Sequence, residues 1–365
     1  MRRRGEPGGE EPAVTGSREW HLVRRPAGWP TDDDVALVEV DIPDPGAGEL
    51  LVHNTVMSVE PYMRGRMSAV ASYVEPYALG APMQGHAVGE VVASGVSAIP
   101  VGRHVVHRAG WREYALVAAA DVEPVDVEPV DTTGFPDSTY LGALGITGMT
   151  AYVGLRHVAA CTPGETVFVS AAAGAVGATV GQIAKVMGCR VIGSAGSEEK
   201  VRFLTEDLGF DAAFSYRDQP VRASLSAALA QLDTDGLDVY FDNVGGEQLE
   251  AAIRVMRPFG RIALCGAIST YNATEPVPGP RNLLLMIWRR LRMAGFLVGD
   301  HADQRAAFTG DMSRWLREGA VRSVETVVHG GIEAAWPTFL AMLRGDNVGK
   351  MIVCLDQSAG NESDH

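Results

Sequence analysis

Short apolar runs broken by Gly, Pro and Asp fill the first third of the chain. Those at residues 35–40, 50–56, 87–94, 105–106 and 114–117 predict strands of a β-rich unit, since brief runs bounded by turn formers fit half-buried strands better than helices. The texture changes near Leu141. From there to about Asp300, helical stretches alternate with β-rich runs at 166–170, 189–194, 238–241, 261–265 and 293–298. That alternation predicts a parallel, doubly wound α/β sheet. A last segment, 306–355, reads as helix, strand at 325–329, helix and strand at 350–355. Its expected place is back in the first unit, giving one domain of residues 17–143 with 314–356 and a second of residues 144–313. Residues 1–16 are charged and rich in Gly and Pro, so they are expected to be a disordered tail, and residues 357–365 a second tail. Residues 283–288 with Leu291 are apolar at helical spacing, as in a packing or dimer face.

Composition narrows the field without naming a function. The chain has 365 residues, 46% hydrophobic and 21% charged, enough for two cores. A net charge of −14 argues against a general nucleic-acid binder, which needs a basic face. The N-terminal arginines precede no apolar stretch, and the 283–288 run falls far short of the ~20 residues needed to cross a bilayer. Neither secretion nor membrane insertion is expected, and the cytoplasm is the expected compartment. Cys161, Cys189, Cys265 and Cys354 are scattered with no CxxC pair, so they predict buried reduced thiols, not a metal knuckle or disulfide framework.

The strongest local signal begins with Thr166-Val167-Phe168-Val169-Ser170. It continues through Ala171-Ala172-Ala173-Gly174-Ala175-Val176-Gly177 into a helix reaching Met187. A buried strand, a turn of small residues and a helix start together let the backbone approach a pyrophosphate, with N–H groups and a positive dipole end facing it. Ala172, Gly174, Ala175, Val176 and Gly177 are the candidate contacts. The following strand bears on which nucleotide fits. An NAD site places an acid about 20 residues on, against the ribose 2′-OH. Here the residue 21 positions past Gly174 is Ala195, followed by Gly196 and Ser197. With no carboxylate there, a 2′-phosphate meets no repulsion; Ser197 can donate to it and Lys200 can supply charge. NADP is favoured over NAD.

Several stretches together resemble the medium-chain dehydrogenase/reductase superfamily. Within it they are most similar to the leukotriene B4 12-hydroxydehydrogenase / prostaglandin reductase / alkenal double-bond reductase group. They are Val59-Glu60-Pro61-Tyr62-Met63-Arg64-Gly65-Arg66-Met67, the run from Gly145 to Tyr152, the 171–185 loop and helix, and the run from Gly209 to Tyr216. Asp238 to Gly246, Cys265 to Asn272, Gly295 to Val298 and Gly345 to Lys350 complete the set. The resemblance implies a Rossmann doubly wound parallel sheet plus a GroES-like β-rich domain, with the cofactor between them. It implies 2′-phosphate contacts from Lys200 and Tyr216, helped by Ser197, and a nicotinamide-ribose or pyrophosphate-side contact from Asn243. Cys265, Gly266, Ala267, Ile268 and Ser269, up to Tyr271, would flank the nicotinamide, as would Phe296, Leu297 and Val298. Asn347 would reach across from the discontinuous domain. A homodimer joined through the Rossmann edges is also implied. The sequence departs from the group at Glu60, where Asp is usual, and in its extended N-terminus.

Zinc-dependent members of the superfamily carry Gly-His-Glu and a catalytic Cys. This chain has Gly85-His86-Ala87 and no Cys before Cys161, so the three ligands of a catalytic zinc, or four of a structural one, are not expected. Alcohol oxidation wants a Lewis acid or base for the hydroxyl proton; without one, conjugate reduction of an enone or enal by NADPH is the better fit. Such a site must orient the acceptor and donate a hydrogen bond to its carbonyl oxygen. Tyr271 is the first candidate donor, working with the ribose 2′-OH as the resemblance implies, and Tyr62 is the second, orienting substrate. No residue is assigned to protonate the α-carbon. An NADPH:quinone oxidoreductase and a non-catalytic NADPH-binding sensor remain open alternatives.

Overall fold

A computed structural model describes residues 15–124 and 134–355; of the tails expected at 1–16 and 357–365, residues 1–14 and 357–365 lie outside them. Six parallel strands form the second unit. Their order is Ala212–Ser215, Arg190–Ala195, Thr166–Val169, Leu237–Asp242, Met256–Leu264 and Arg292–Gly295. Sequence reversal on either side of the central Thr166–Val169 strand is the doubly wound pattern, which opens a crevice at the strands' carboxyl ends. All four residues of Thr166–Val169 are buried, as expected of a strand covered by helices on both faces. Phe168 stacks on Tyr240 of the neighbouring strand, ring centroids 4.9 Å apart.

The β-rich unit contains a seven-stranded sheet built around the Glu49–Ser58 strand, which pairs with Ala87–Ser94, Tyr114–Ala118 and Lys350–Cys354. The Glu325–His329 strand extends it beyond Lys350–Cys354 in parallel. Residues 325–329 and 350–354 thus lie in this sheet, but part of the 314–356 segment expected with them packs elsewhere. Trp315 and Val321 are buried in the parallel-sheet unit with Phe308 and Met312, because the Arg305–Arg317 helix turns its apolar stripe that way.

Three local readings need correction. Thr15 and Gly16, expected in the disordered tail, form the start of the Thr15–Leu22 strand and pair with Ile42 and Asp41. The Ala212–Ser215 strand carries no alternation long enough to be seen, being only 4 residues. The strand expected through residue 298 stops at Gly295, and Val298 opens a short helical segment. The Leu284–Arg289 helix exists as the spacing suggested. It packs half-buried Leu285 and Met286 against the core and leaves Leu284, Ile287 and Trp288 55%, 71% and 63% exposed. Among the described residues, no helix is long and apolar enough to cross a membrane.

Candidate active site

A cleft of about 1100 Å³ runs between the two units, from the 171–177 turn to a cluster of tyrosines. At one end Gly174 caps the Ala175–Val186 helix without a side chain, leaving the first-turn N–H groups of the helix for a ligand. Gly174, Ala175, Val176 and Gly177 all line the cleft. A Cβ on Gly177 would collide with the Ala171 carbonyl oxygen and the Ala172 backbone, so the tight turn requires glycine there. Ala172 is a correction: it is wholly buried, with its N–H on the Ser194 carbonyl. Its small side chain serves packing against the next strand and does not reach the cleft.

Beyond the turn, Ala195, Gly196, Lys200 and Tyr216 line the wall where the ribose end of a dinucleotide would lie. A Cβ on Gly196 would press on the Tyr216 hydroxyl at 3.1 Å, so glycine leaves room for the ring. Ser197 does not line the cleft. It caps the Glu198–Arg202 helix, its hydroxyl accepting from the Lys200 N–H, which is the ordinary work of serine at a helix start. Arg217 lines the same wall, its guanidinium 5.8 Å from the Tyr216 ring centre. Sequence reading missed it because the strand that ends beside it was missed; a basic residue directly after Tyr216 was the available signal. The Lys200 ammonium donates to the carbonyls of Gly345 and Asn347 at 2.5 and 2.6 Å. Burial pushes its pKa down, Asp346 pulls it up, and nearby Arg217 pushes it down again. Two cations on a wall that carries Ala195 at the position where an NAD site places its acid fit a dinucleotide with a 2′-phosphate.

The middle of the cleft is held by backbone. Asn243 donates its side-chain amide to the Ser170 carbonyl at 2.8 Å, and Asp242 beneath it accepts from the Tyr240 hydroxyl and the N–H groups of Val244 and Gly245. Cys265, Gly266, Ile268 and Ser269 line the cleft, as do Phe296, Leu297 and Val298; Ala267 does not. The Cys265 thiol is pushed up to about 12 by burial, with the Asp242 charge adding to it. Asn347 lines the wall opposite, its amide donating to the Gly349 carbonyl at 2.6 Å. The Gly349 N–H in turn donates to the Ala173 carbonyl at 2.7 Å. One loop of the β-rich unit is thereby tied directly to the phosphate turn.

Tyr271 and Tyr62 face the far end of this cleft, with Tyr73 and His86 beside them. Burial raises the pKa of both Tyr271 and Tyr62, and the Glu60 charge raises that of Tyr62 further. Each is a phenol that donates a proton without carrying charge. Beneath them lies a pair that no sequence feature announced. The Lys350 ammonium meets the Glu60 carboxylate at 2.5 Å with both side chains buried, and His86 Nδ1 lies 3.4 Å from the other Glu60 oxygen. Burial pushes Glu60 up, and Lys350 and His86 more than reverse this, to about 2. Among the described residues, Arg64 and Arg66 form no salt bridge and donate to neutral groups. Arg64 is buried and donates to Asn272 Oδ1 at 2.9 Å and to the Gly28 carbonyl, across the two units beside Tyr271. Arg66 donates to the Glu75 carbonyl and Gln84 and lies over the Tyr77 ring.

This geometry agrees with the comparisons to known proteins. Residues 18–125 match the family described as the N-terminal domain of oxidoreductase, and residues 175–316 that described as zinc-binding dehydrogenase. The chain is 41% identical over 334 residues to a putative NADP-dependent oxidoreductase of Bacillus subtilis, covering 91% of this chain and 96% of that one. It is 40% identical to the 2-alkenal reductase (NADP(+)-dependent) of Nicotiana tabacum, covering 90% and 95%. The chain belongs to the zinc-independent medium-chain dehydrogenase/reductases. Rat prostaglandin reductase 1 is 41% identical, with 92% of this chain and 98% of that one covered. The crystal structure of CurA from Vibrio vulnificus in complex with NADPH superposes with a TM-score of 0.86 at 38% identity, over 93% of this chain and 99% of that one. The zinc in the second family's description finds no counterpart set of donors: among the described residues, no three His, Cys, Asp or Glu side chains gather. In this chain Lys350 pairs with Glu60, and His86 lies beside the other Glu60 oxygen.

Proposed function

We propose that this protein is an NADPH-dependent reductase that saturates the carbon–carbon double bond of an α,β-unsaturated ketone or aldehyde. The observation that carries this reading is the single cleft in which the phosphate turn, the Lys200–Arg217 wall and the Tyr271–Tyr62 pair all face one another. The names of the tobacco and rat relatives support the acceptor class, and the NADPH in the CurA crystal supports the cofactor.

Bound NADPH would supply a hydride to the β-carbon of the acceptor. The protein's part is to hold and to donate. The first-turn N–H groups at Ala175–Gly177 and the backbone at Gly266 and Ser269 would hold the cofactor along its length, while Lys200, Tyr216 and Arg217 would hold its 2′-phosphate. Phe296, Leu297 and Val298 line the cleft and would offer the nicotinamide an apolar face. Tyr271 donates to the acceptor's carbonyl oxygen as negative charge develops there; a preorganised donor in a site closed to water is worth far more than the same phenol in solution. Tyr62 orients the substrate from the β-rich unit.

A cytoplasmic homodimer is part of this proposal. The exposed Leu284, Ile287 and Trp288 lie on the helix just before the Arg292–Gly295 strand, which ends the parallel sheet. Sedimentation of Ile287→Glu beside the wild type tests it: an unchanged mass would remove this helix from any interface.

Acceptor-dependent NADPH oxidation, followed against enones, enals, quinones and simple aldehydes with product analysis, tests the function itself. Turnover of enones to the saturated ketone is the expected result. Activity confined to quinones would replace this reading with a quinone reductase, and tight NADPH binding without turnover would replace it with a sensor.

A further inference from the structure

Scattered along the sequence, two of the four cysteines are neighbours in the fold. Cys161 lies just past the π-helical turn Gly154–Val158, and Cys189 just before the Arg190–Ala195 strand. That strand runs parallel to Thr166–Val169 with Arg190 opposite Thr166, so the segments leading into both strands meet at the amino ends of the two strands. Their Sγ atoms are 3.6 Å apart. Both side chains are buried, 6% and 3% exposed, but their cover is thin. Ala160, Thr162, Pro163, Gly164 and Gly188 around them are all exposed.

We propose that Cys161 and Cys189 are a redox-active pair that forms a reversible disulfide with a small-molecule disulfide as oxidant. Closing the pair requires the sulfurs to reach the ordinary bond length of about 2.05 Å, and the exposed turn that carries Cys161 is the part able to move. Its backbone is held by left-handed residues at both ends, Ala160 with φ 46° and Gly164 with φ 86°, the first of them costly for a residue with a Cβ.

The hydrogen-bond pattern sets the order of events. Both thiols reach the Thr162 carbonyl, Cys189 Sγ at 3.3 Å and Cys161 Sγ at 3.9 Å, and either sulfur can donate to the other. With Cys189 donating over the shorter contact, Cys161 is the donor to Cys189. That donation holds Cys189 below the ordinary thiol range, helped by the backbone at Glu165 and Gly164, and the same contact pushes Cys161 up, with burial adding to it. Cys189 is therefore the attacking sulfur. Its thiolate bonds to one sulfur of the oxidant, whose S–S bond breaks and releases one thiolate. Cys161 Sγ then attacks Cys189 Sγ, the mixed S–S bond breaks, and a second thiolate leaves. Two cysteines lose two electrons, one external disulfide becomes two thiols, and the two cysteine protons end on the departing sulfurs.

The bond would join the ends of the segment holding the Thr166–Val169 strand, the phosphate turn and the Ala175–Val186 helix. Neither sulfur lines the cleft, so the bond braces the cofactor cradle from behind without entering it.

The test uses the full chain, with and without NADPH, incubated anaerobically with hydroxyethyl disulfide. Thiols still free are then capped with iodoacetamide under denaturing conditions and the peptides mapped by mass spectrometry. The expected result is a Cys161–Cys189 linked peptide with Cys265 and Cys354 alkylated. A rise in thermal midpoint on the order of 5 °C, reversed by dithiothreitol, should accompany it. Cys161→Ala should stop at the mixed disulfide on Cys189. Four alkylated cysteines in the wild type, or a mixed disulfide on Cys189 that never resolves, would overturn the proposal. The wild-type map alone decides it, whether or not the variant folds.

Discussion

Lys200→Met would test how the cleft discriminates between cofactors. The lysine ammonium has three donors; two go to the Gly345 and Asn347 carbonyls at 2.5 and 2.6 Å, and the third is left for a phosphate oxygen. Removing one charge-assisted contact costs about 1.5–3 kcal/mol, or roughly 10- to 150-fold in affinity for NADPH. The same substitution also unties the loop carrying Asn347, which lines the cleft, and that loss falls on NADPH and NADH alike. The ratio of kcat/KM values for the two cofactors cancels the shared part and isolates the phosphate contact. Steady-state kinetics with a saturating enone and each cofactor supply the ratio. The wild type should also lose its NADPH advantage as pH rises through the Lys200 pKa, because the ammonium gives up its charge. Burial and Arg217 lower that pKa, so the loss should begin below the ordinary lysine range and be absent in the variant. An equal fall for both cofactors would refute the phosphate role and leave Lys200 as a loop tether only.

Tyr271→Phe should lower kcat while leaving NADPH affinity, read by fluorescence titration, nearly unchanged; an unaltered kcat would mean that another group donates to the carbonyl oxygen. Gly177→Ala places a methyl against the Ala171 carbonyl and should weaken both cofactors together, measured as a parallel rise in the two KM values. Glu60→Gln leaves the buried Lys350 ammonium without its counter-charge, and breaking a buried pair from one side costs about 3–5 kcal/mol, to be read as a loss of denaturation midpoint. Glu60 is depressed in the fold from 4.5 to about 2. Its contribution is therefore present in full above the unfolded value and drains away as pH falls toward about 2, so the variant's stability should depend less on pH across that window.

Contiguous chemistry was legible in the sequence. The phosphate turn could be read because strand, small-residue turn and helix start occupy one uninterrupted stretch, and each part reports its own role through residue size and hydrophobicity. The absence of an acid at Ala195 was equally local. Where a single residue had two possible employments, the sequence could not choose between them. Ser197 offered itself as a phosphate donor and is occupied as a helix cap; Ala172 stood among the candidate contacts of the turn and packs in the core. Arg217 was hidden because the strand before it is too short for any periodicity to show.

What only the tertiary structure decided are the meetings of distant segments. Glu60 and Lys350 stand 290 positions apart and become partners because the Lys350–Cys354 strand returns to lie against Glu49–Ser58. Arg64 finds Asn272 across the cleft, and Cys161 finds Cys189 where two parallel strands begin side by side. A hydrophobic pattern says which face of each element turns inward, since burial of apolar surface is non-directional and roughly additive. It does not say which element will be opposite. Ion pairs, thiol contacts and bridging hydrogen bonds depend on that choice to within an ångström, so they exist only once the chain has packed.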